Sequence, residues 1–423
     1  MSTGKEEDEA MLGVKTPVKK SAMERFNDTC ETNEIWWDSS PLVFESWSHK
    51  AIEEAPAEKR EIVRAWHRRY YVGERPLEQL FRGVTTNPPL SWAAVQDRPW
   101  FWREWALEQK RKHAGEGARE VWWRMYREIV RRGAEQYFGV YRESGGRYGW
   151  LSGQVDPRDY AQEEKMKGQA HEIAAQATNI MIKIPATEQG VRVIRYLTGK
   201  GISTNATLAF VVPQWVAVAR AVREGVEIAK KDGVDLSRWR SVITAMMARY
   251  EELGYLRAEA EERGVELSAE DIRWSSIALV KRMMGWLRDG KYPSKMLLAS
   301  MREGPVINGK MRVWHFEKFG GADAVFTCPG KYIAMVDNYC EDIAFDAEAW
   351  REEVPEGVLE KLLKLAYFRE AYEPEGLEPP QFNAHPATAA TAAEFSKATD
   401  AMERFVAESL ELAGVKSKAT VSV

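Results

Sequence analysis

Short apolar runs of strand length alternate along the chain with longer segments of helical period. The apolar runs are Pro41–Phe44, Gly83–Thr86, Tyr148–Leu151, Ile180–Ile184, Ile202–Phe210, Val242–Thr244, Met296–Ser300 and Ala324–Thr327. The helical segments between them include Pro56–Tyr71, Tyr160–Ala177, Glu188–Leu197 and Gln214–Lys230. This alternation predicts a parallel α/β architecture. Eight strands is the number that a closed (β/α)8 TIM barrel needs, although periodicity alone does not exclude an open doubly wound sheet.

Most of these predicted strands end in polar residues or in residues next to glycine or proline. The ends include Glu45, Thr86-Asn87-Pro88, Gln154-Val155-Asp156, Asn205-Ala206-Thr207, Thr244, Ser300-Met301-Arg302 and Cys328-Pro329. In β/α barrels the carboxyl ends of the strands carry the chemistry. We therefore expect one shared site at that face of the barrel.

The sequence divides into three predicted regions. Residues 1–27 are predicted to be a flexible tail, residues 28–345 the barrel, and residues 346–423 a C-terminal helical extension. A Trp-rich helical insertion, at about 91–145, follows the second strand, and its aromatic residues predict the core of an added helical subdomain. Asn308-Gly309 lies between apolar arms and predicts a two-residue hairpin.

Composition narrows the classes of partner. The chain has 60 Lys and Arg against 64 Asp and Glu, a formal net charge of −4, which provides no field for nucleic acid or for an anionic membrane. Its three cysteines are odd in number and widely spaced, which favours a reducing compartment over a disulfide framework. No segment approaches the roughly 20 apolar residues of a membrane span. We expect a cytoplasmic protein with no nucleic-acid or membrane partner, and homo-oligomerisation is compatible with the sequence.

Lys183 is the most informative single residue. It lies within Asn179–Gly190, inside an otherwise apolar and β-branched run. Burial there disfavours the charged ammonium and lowers the pKa of the lysine. A neutral amine can attack a carbonyl carbon and form an imine, which is the activation used by Schiff-base enzymes. The alternative is a strand-end lysine whose amine reaches water along an apolar stem.

The motifs around Lys183 resemble those of the transaldolase family, the Schiff-base β/α barrels that include the bacterial fructose-6-phosphate aldolases. Ile182-Lys-Ile-Pro-Ala-Thr-Glu-Gln-Gly190 is similar to the family segment whose lysine forms the imine. Four other segments match family motifs in the same order, namely Gly83–Pro89, Gly201–Leu208, Leu298–Arg302 and Gly321–Pro329. The resemblance implies a (β/α)8 barrel and an enzyme that is a transaldolase or class I aldolase, a transferase of aldehyde or ketone residues in carbohydrate metabolism such as the pentose phosphate pathway.

The resemblance also implies roles for individual residues. Lys183 would form the imine with a ketose or dihydroxyacetone-type donor, and Thr207 would hold a catalytic water. Substrate contacts would come from Asn87, Asn205, Thr244, Arg249, Ser300 and Arg302. The two arginines would grip a phosphate or another oxyanion, since a guanidinium makes two-pronged contacts with such groups.

Three positions depart from the family pattern. Gln154 stands where transaldolases have a glutamate; it can position a water but cannot take its proton. Met246 stands where relatives have tyrosine or phenylalanine. The best match to the aspartate of the family's first strand is Glu45, which could remove the hydroxyl proton during carbon–carbon cleavage, and Asp38 is the second candidate.

The expected function is therefore transfer of an enamine carbon unit from a donor ketose to an acceptor aldehyde, with a substrate other than the usual pentose-pathway sugar phosphates. Two alternatives stay open, a simple class I aldolase and a non-catalytic barrel that binds sugar phosphates. We expect no cofactor and no metal, because the six histidines show no paired ligand spacing.

Overall fold

The computed structural model describes residues 19–71 and 75–420, with side chains up to residue 412. The strands in chain order are β1 (Glu34–Asp38), β2 (Phe81–Thr85), β3 (Trp150–Gln154), β4 (Ile180–Pro185), β5 (Thr204–Thr207), β6 (Ser241–Met246), β7 (Lys295–Ala299), β8 (Val306–Ile307), β9 (Lys310–Met311) and β10 (Val325–Pro329). All except β8 and β9 form a closed parallel barrel in the order β1-β10-β7-β6-β5-β4-β3-β2. The predicted TIM barrel is confirmed, because β1 pairs with both β2 and β10 and leaves no open edge.

Helices connect the strands and extend the chain beyond the barrel. They are α1 (Ala22–Asn27), α2 (Phe44–Glu54), α3 (Arg60–Tyr70), α4 (Pro88–Asp97), α5 (Pro99–Lys112), α6 (Ala118–Glu143), α7 (Glu163–Ala174), α8 (Glu188–Gly199), α9 (Val212–Lys231), α10 (Met247–Glu252), α11 (Tyr255–Glu262), α12 (Ala269–Asp289), α13 (Trp314–Glu317), α14 (Gly330–Tyr339), α15 (Glu356–Leu363), α16 (Ala366–Tyr372), α17 (Pro379–Phe382) and α18 (Pro386–Thr420). Among the residues that the structure describes, no helix is both long enough and apolar enough to cross a membrane.

The first barrel strand lies earlier in the chain than predicted. Pro41–Val43, predicted as part of a strand, form a 3₁₀ turn that leads into α2, because a proline fits the start of a helical turn. The strand is instead β1, whose Trp36 faces the barrel interior while Trp37 packs outside against Phe44. Two adjacent tryptophans on opposite faces hide the apolar and polar alternation by which a strand is recognised.

The barrel interior is a separate apolar cluster from the layer between strands and helices. The interior cluster contains Trp36, Tyr141, Trp150, Met181, Val242, Leu297, Ala299 and Val325. Gly83 makes room for it, since a Cβ there would lie 2.5 Å from the Trp36 ring. Because side chains alternate along a strand, the inward positions that follow this layer are Asp38, Ser152, Lys183 and Thr244. The packed interior therefore forms the floor under a polar layer at the carboxyl ends of the strands.

Residues 19–27 differ from the flexible tail that the sequence predicted. Ser21 and Glu24 form a reciprocal capping box at the start of α1, and Met23 and Phe26 are fully buried. The Phe26 ring stacks on Phe316 with centroids 4.0 Å apart. Burial of these apolar side chains holds the segment against the barrel. The rest of the predicted tail, residues 1–18, lies outside the described residues.

Two added elements interrupt the barrel. The insertion after β2 consists of α4, α5 and α6; its Trp102 and Trp122 are buried, whereas its Trp100 is exposed. The hairpin of β8 and β9 turns at Asn308 and Gly309, both with positive φ (50° and 72°), as a two-residue turn requires. The final helix, α18, packs across all three helices of the insertion. The C-terminal extension and the insertion are thus joined on the same side of the molecule.

Candidate active site

Lys183 lies on the inner face of β4. Ile180, Ile182 and Ile184 alternate with it and belong to the outer apolar cluster, which directs the lysine into the barrel. Its side chain is buried, and Nζ donates to the backbone oxygen of Thr86 at 3.3 Å. Burial lowers the pKa of Lys183 to about 8; the negative charge of Asp38 opposes this shift, and the positive charge of Arg249 adds to it. The amine is therefore partly neutral near physiological pH.

Asp38 is the carboxylate of this site. It ends β1, and Thr85 Oγ1 donates to its Oδ1 at 2.7 Å. The Thr85 hydroxyl has one proton, so Thr327 is the donor in the 2.5 Å contact between the two threonine hydroxyls. Burial raises the pKa of Asp38, although the charge of Lys183 and the hydrogen bond from Thr85 act in the opposite direction. A carboxylate with a raised pKa beside an amine with a lowered pKa is typical of acid–base chemistry.

Glu45, the preferred carboxylate of the sequence analysis, is not at a strand end. It is exposed in the first turn of α2. There it lines a separate cavity of about 850 Å³, together with His67 and Arg132, between helices outside the barrel. The sequence places the first strand seven residues too late, from Pro41 instead of Glu34, and therefore favours Glu45 over Asp38. The second candidate, Asp38, takes the position beside Lys183.

Asn205 is held by hydroxyl groups from β3 and β6. It lies opposite Lys183 in the pairing of β4 with β5. Its Nδ2 donates to Ser152 Oγ at 2.9 Å, and its Oδ1 accepts from Thr244 Oγ1 at 2.7 Å. These two bonds determine which side of the amide is nitrogen. The second N–H of the fully buried amide has no partner among the described residues and can donate to a bound hydroxyl.

Gln154 and Thr207 bring two unsatisfied oxygens to the same face. Gln154 Oε1 and Thr207 Oγ1 are buried and lack a hydrogen-bond partner among the described residues. Buried polar atoms are rarely left in this state, and each one needs an explanation. A hydroxyl-rich ligand or a reacting water would satisfy both atoms.

Tyr126 was missed by sequence reasoning. Its hydroxyl donates to the backbone oxygen of Gln154 at 2.6 Å and accepts from the backbone N–H of Gln154 at 2.9 Å. Tyr126 belongs to α6 of the insertion and lies 28 residues before Gln154. No motif signals this contact, because it depends on how the insertion packs against β3. The insertion therefore helps to position Gln154.

Asn87 and Ser300 follow strands but differ in what holds them. Asn87 caps α4, with its Oδ1 accepting from Leu90 N at 3.0 Å, so the fold already uses this oxygen. Ser300 has φ of +58°, and Leu208, after β5, has φ of +48°. Left-handed backbone at non-glycine residues costs about 1–2 kcal/mol and clusters at functional sites. The strain at the ends of β5 and β7 thus lies at the expected face.

The two predicted oxyanion-binding arginines are both paired with carboxylates. Arg249 lies in α10, just after β6, and donates to both carboxylate oxygens of Glu394 of α18, with Nη2 2.7 Å from Oε1. Arg302 Nε lies 3.2 Å from Glu252 Oε1 in a more exposed pair. The positive charges of both arginines lower the pKa of Asp38, against the larger effect of burial. Both arginines therefore act electrostatically on Asp38. Their carboxylate partners, Glu394 and Glu252, were not predicted from the sequence.

Met246 provides no acid or base at the end of β6. Its side chain is buried in the apolar cluster between the strands and the helices. Tyr250, the nearest phenol in sequence, stacks on Tyr367 with centroids 5.1 Å apart and directs its hydroxyl to the Tyr367 backbone oxygen. Tyr250 thus faces a helix of the C-terminal extension. Among the residues placed at this site, Asp38 and Lys183 are the groups suited to proton transfer.

Comparison with known proteins adds a family to this geometry. The family model described as Transaldolase/Fructose-6-phosphate aldolase matches residues 71–378. The chain is 35% identical over 170 residues to Transaldolase 1 of Streptomyces coelicolor, which is 40% of this chain and 44% of that protein. It is 33% identical over 189 residues to a transaldolase of Saccharopolyspora erythraea, which is 44% of this chain and 50% of that protein. The chain thus matches about half the length of these curated relatives.

Proposed function

Because the chain belongs to the Transaldolase/Fructose-6-phosphate aldolase family, we propose that it transfers a carbon unit from a ketose or dihydroxyacetone-type donor to an aldehyde acceptor through an imine on Lys183. The observation that carries this proposal is the placement of Lys183. It is a buried amine with a pKa of about 8 on the inner face of the barrel, coupled to the carboxyl group of Asp38. Such an amine is a nucleophile for a carbonyl carbon.

The proposed reaction begins when neutral Lys183 Nζ attacks the ketone carbon of the donor. Loss of water gives an iminium ion, which draws electrons from the neighbouring carbon–carbon bond. Asp38 accepts the proton of the C4 hydroxyl, the C3–C4 bond breaks, its electron pair forms the enamine, and an aldehyde leaves. The enamine then attacks the acceptor aldehyde, and Asp38 returns its proton to the new hydroxyl oxygen. Water finally releases the ketose and restores the amine.

The remaining polar residues have proposed binding roles. Asn205 would donate its second amide N–H to a donor hydroxyl, while Gln154 and Thr207 would hold the water that hydrolyses the imine. Asn87, Thr244 and Ser300 are proposed as further contacts to substrate hydroxyls. Arg249 and Arg302 are proposed to face the far end of the substrate, where their carboxylate partners decide what they can bind.

Trapping of the imine tests this function. Reduction with borohydride in the presence of dihydroxyacetone or fructose 6-phosphate should fix a covalent adduct, and peptide mass analysis should locate it on Lys183. Lys281 is an internal control, because burial lowers its pKa to about 8 as well, while its amine donates to three backbone carbonyl oxygens outside the barrel. A folded protein that shows no adduct on Lys183 with any of several donors would refute the proposal.

Two other outcomes distinguish the alternatives. A simple class I aldolase would protonate the enamine instead of transferring it, so product analysis with and without an acceptor aldehyde separates the two enzymes. A non-catalytic binding barrel is favoured by Gln154, which cannot carry a proton. That alternative requires calorimetric binding of sugar phosphates that survives Lys183→Met, together with no turnover of any donor.

A further inference from the structure

Glu394 of α18 accepts hydrogen bonds from the guanidinium of Arg249. Both terminal nitrogens of Arg249 contact the carboxylate of Glu394, so the arginine uses the two donors with which it would hold an oxyanion. The next residue, Phe395, is buried, and Arg249 Cζ lies 5.6 Å from the centre of its ring. Two consecutive residues of α18 therefore hold one arginine by charge and by ring contact.

The charge of Arg249 reaches the groups proposed to react. The charge of Arg249 adds to the lowering of the Lys183 pKa that burial causes, and it also acts on Asp38. The carboxyl group of Glu394 has a lowered pKa, chiefly because Arg249 donates to it, with a smaller contribution from the charge of Arg302. Glu394 thus carries a negative charge beside Arg249 and within the field of Arg302.

The helix that carries Glu394 is anchored on both sides of it. Before it, Gln214 Nε2 donates to Thr388 Oγ1 at 3.3 Å, and both residues are buried. After it, Arg158 pairs with Asp400 and with Glu403 at 3.0 and 2.6 Å. These contacts hold the backbone of α18 at Glu394 in place. The Glu394 carboxylate can therefore move away from Arg249 only by rotation of its own side chain, which costs the free energy of the ion pair.

We propose that Glu394 determines the substrate class by taking the anion-binding place of Arg249, so that the enzyme selects substrates that carry a hydroxyl group, and not a phosphate, at the end that faces this arginine. This inference rests on the proposed function of Lys183. A phosphate approaching Arg249 meets the negative charge of Glu394 and must displace it, whereas a hydroxyl can donate to that carboxylate.

Acceptor kinetics test the inference. With dihydroxyacetone as the donor, kcat/KM is measured for glyceraldehyde and for glyceraldehyde 3-phosphate. We expect the wild-type protein to favour glyceraldehyde by about tenfold or more, and Glu394→Gln to shift this ratio by about tenfold or more toward the phosphorylated acceptor. The matched control is Glu403→Gln on the same helix, which removes a carboxylate that pairs with Arg158 and should leave the ratio unchanged.

A binding measurement keeps the inference separate from the catalytic proposal. Inorganic phosphate, followed by calorimetry, should bind Glu394→Gln and a second variant, Glu394→Ser, about tenfold more tightly than wild type or Glu403→Gln. A wild-type preference for the phosphorylated acceptor, or equal phosphate affinity in all four proteins, would overturn the role of Glu394. Absence of a borohydride adduct on Lys183, with tighter phosphate binding by the Glu394 variants, would instead overturn the proposed reaction and leave the anion site standing.

Discussion

The first barrel strand carries a carboxylate at each of its ends, and the pKa values of the two carboxyl groups shift in opposite directions. At the amino end Glu34 pairs with Arg240 and lies 3.2 Å from Lys295, while Trp36 Nε1 donates to it at 3.0 Å. Burial alone would raise the pKa of Glu34, but the two positive charges outweigh it and the pKa falls below its usual value. At the carboxyl end burial prevails, and the pKa of Asp38 rises.

The difference is consistent with our proposal that the carboxyl face of the barrel serves chemistry and the amino face serves stability. Glu34 is saturated by cations and hydrogen bonds, so its charge is neutralised within the fold. Asp38 and Lys183 are coupled by charge, yet no ion-pair contact joins them among the described residues, and each keeps a pKa shifted toward its neutral form. In β/α barrels the carboxyl face is the catalytic one and the opposite face contributes to stability. Four predictions test this division, from the largest expected effect to the smallest.

Lys183→Met should abolish turnover and stabilise the protein. Loss of the only proposed imine-forming amine should lower kcat/KM by roughly 10⁴-fold or more. Burial of the ammonium destabilises the fold below about pH 8, and this penalty disappears between about pH 8 and the unfolded-state pKa, so the variant should gain about 1–3 kcal/mol in the free energy of unfolding near neutral pH. Denaturant unfolding at neutral pH and at high pH measures the gain, which should shrink as pH rises.

Lys281→Met is the control for that change. Removal of its amine also relieves a burial penalty, but it breaks three hydrogen bonds to backbone oxygens, so the variant should gain less stability than Lys183→Met while keeping its turnover. A Lys281 variant that is inactive but fully folded would contradict the assignment of Lys183.

Asp38→Asn and Glu34→Gln should separate the two ends of the barrel. Asp38→Asn should reduce kcat by about 10²–10⁴-fold, because no group accepts the hydroxyl proton, while the borohydride adduct on Lys183 still forms. Glu34→Gln should instead destabilise the fold by about 3 kcal/mol, since the partly buried Arg240 loses its carboxylate partner and Lys295 keeps only Asp323. Steady-state kinetics and denaturant unfolding are measured for both variants. Equal loss of stability in the two would contradict the assignment of Glu34 to stability and Asp38 to catalysis.

The two ends should also titrate in different pH ranges. The rate of imine formation should rise up to about tenfold per pH unit and level off near pH 8, as Lys183 becomes neutral. The stabilisation from Glu34, whose pKa is lowered on folding, should be present above its unfolded-state pKa and be lost as pH falls through the folded one. Trapping rates and unfolding curves across pH measure both limbs. In Glu34→Gln the loss of unfolding free energy at low pH should become smaller, whereas the pH dependence of imine formation should stay the same.

Tyr126→Phe should have the smallest effect at the catalytic face. The change leaves the N–H and carbonyl oxygen of Gln154 unpaired in a buried place, which should cost about 1–3 kcal/mol of stability and lower kcat by about tenfold or less. Tyr137→Phe on the same helix is the matched control, because its buried hydroxyl has no hydrogen-bond partner among the described residues. Equal effects of the two changes on kcat would show that the insertion does not position Gln154.

The sequence alone indicated a large part of the barrel. The strands from β2 onward were placed within a few residues, because their apolar runs are bounded by glycine, proline and polar residues. The first strand was misplaced, because Trp36 and Trp37 give no alternation, and this error carried over to the choice of Glu45 above Asp38. The hairpin at Asn308-Gly309 was predicted correctly, since its turn chemistry is local.

Local pattern thus indicated Lys183 as a candidate residue, and the resemblance to family motifs indicated Asn205 and the order of the strand-end segments. In a barrel every parallel strand ends at the same face, so residues that are far apart in sequence meet once the strands are known. Only the tertiary structure decided that Asp38 faces Lys183, that Tyr126 holds Gln154, and that Glu394 covers Arg249 from 145 residues away. The first depends on closure of the barrel, which brings β1 and β4 to one interior, and the other two depend on how the added helices pack against the barrel. Packing between distant segments leaves no periodic mark in the chain.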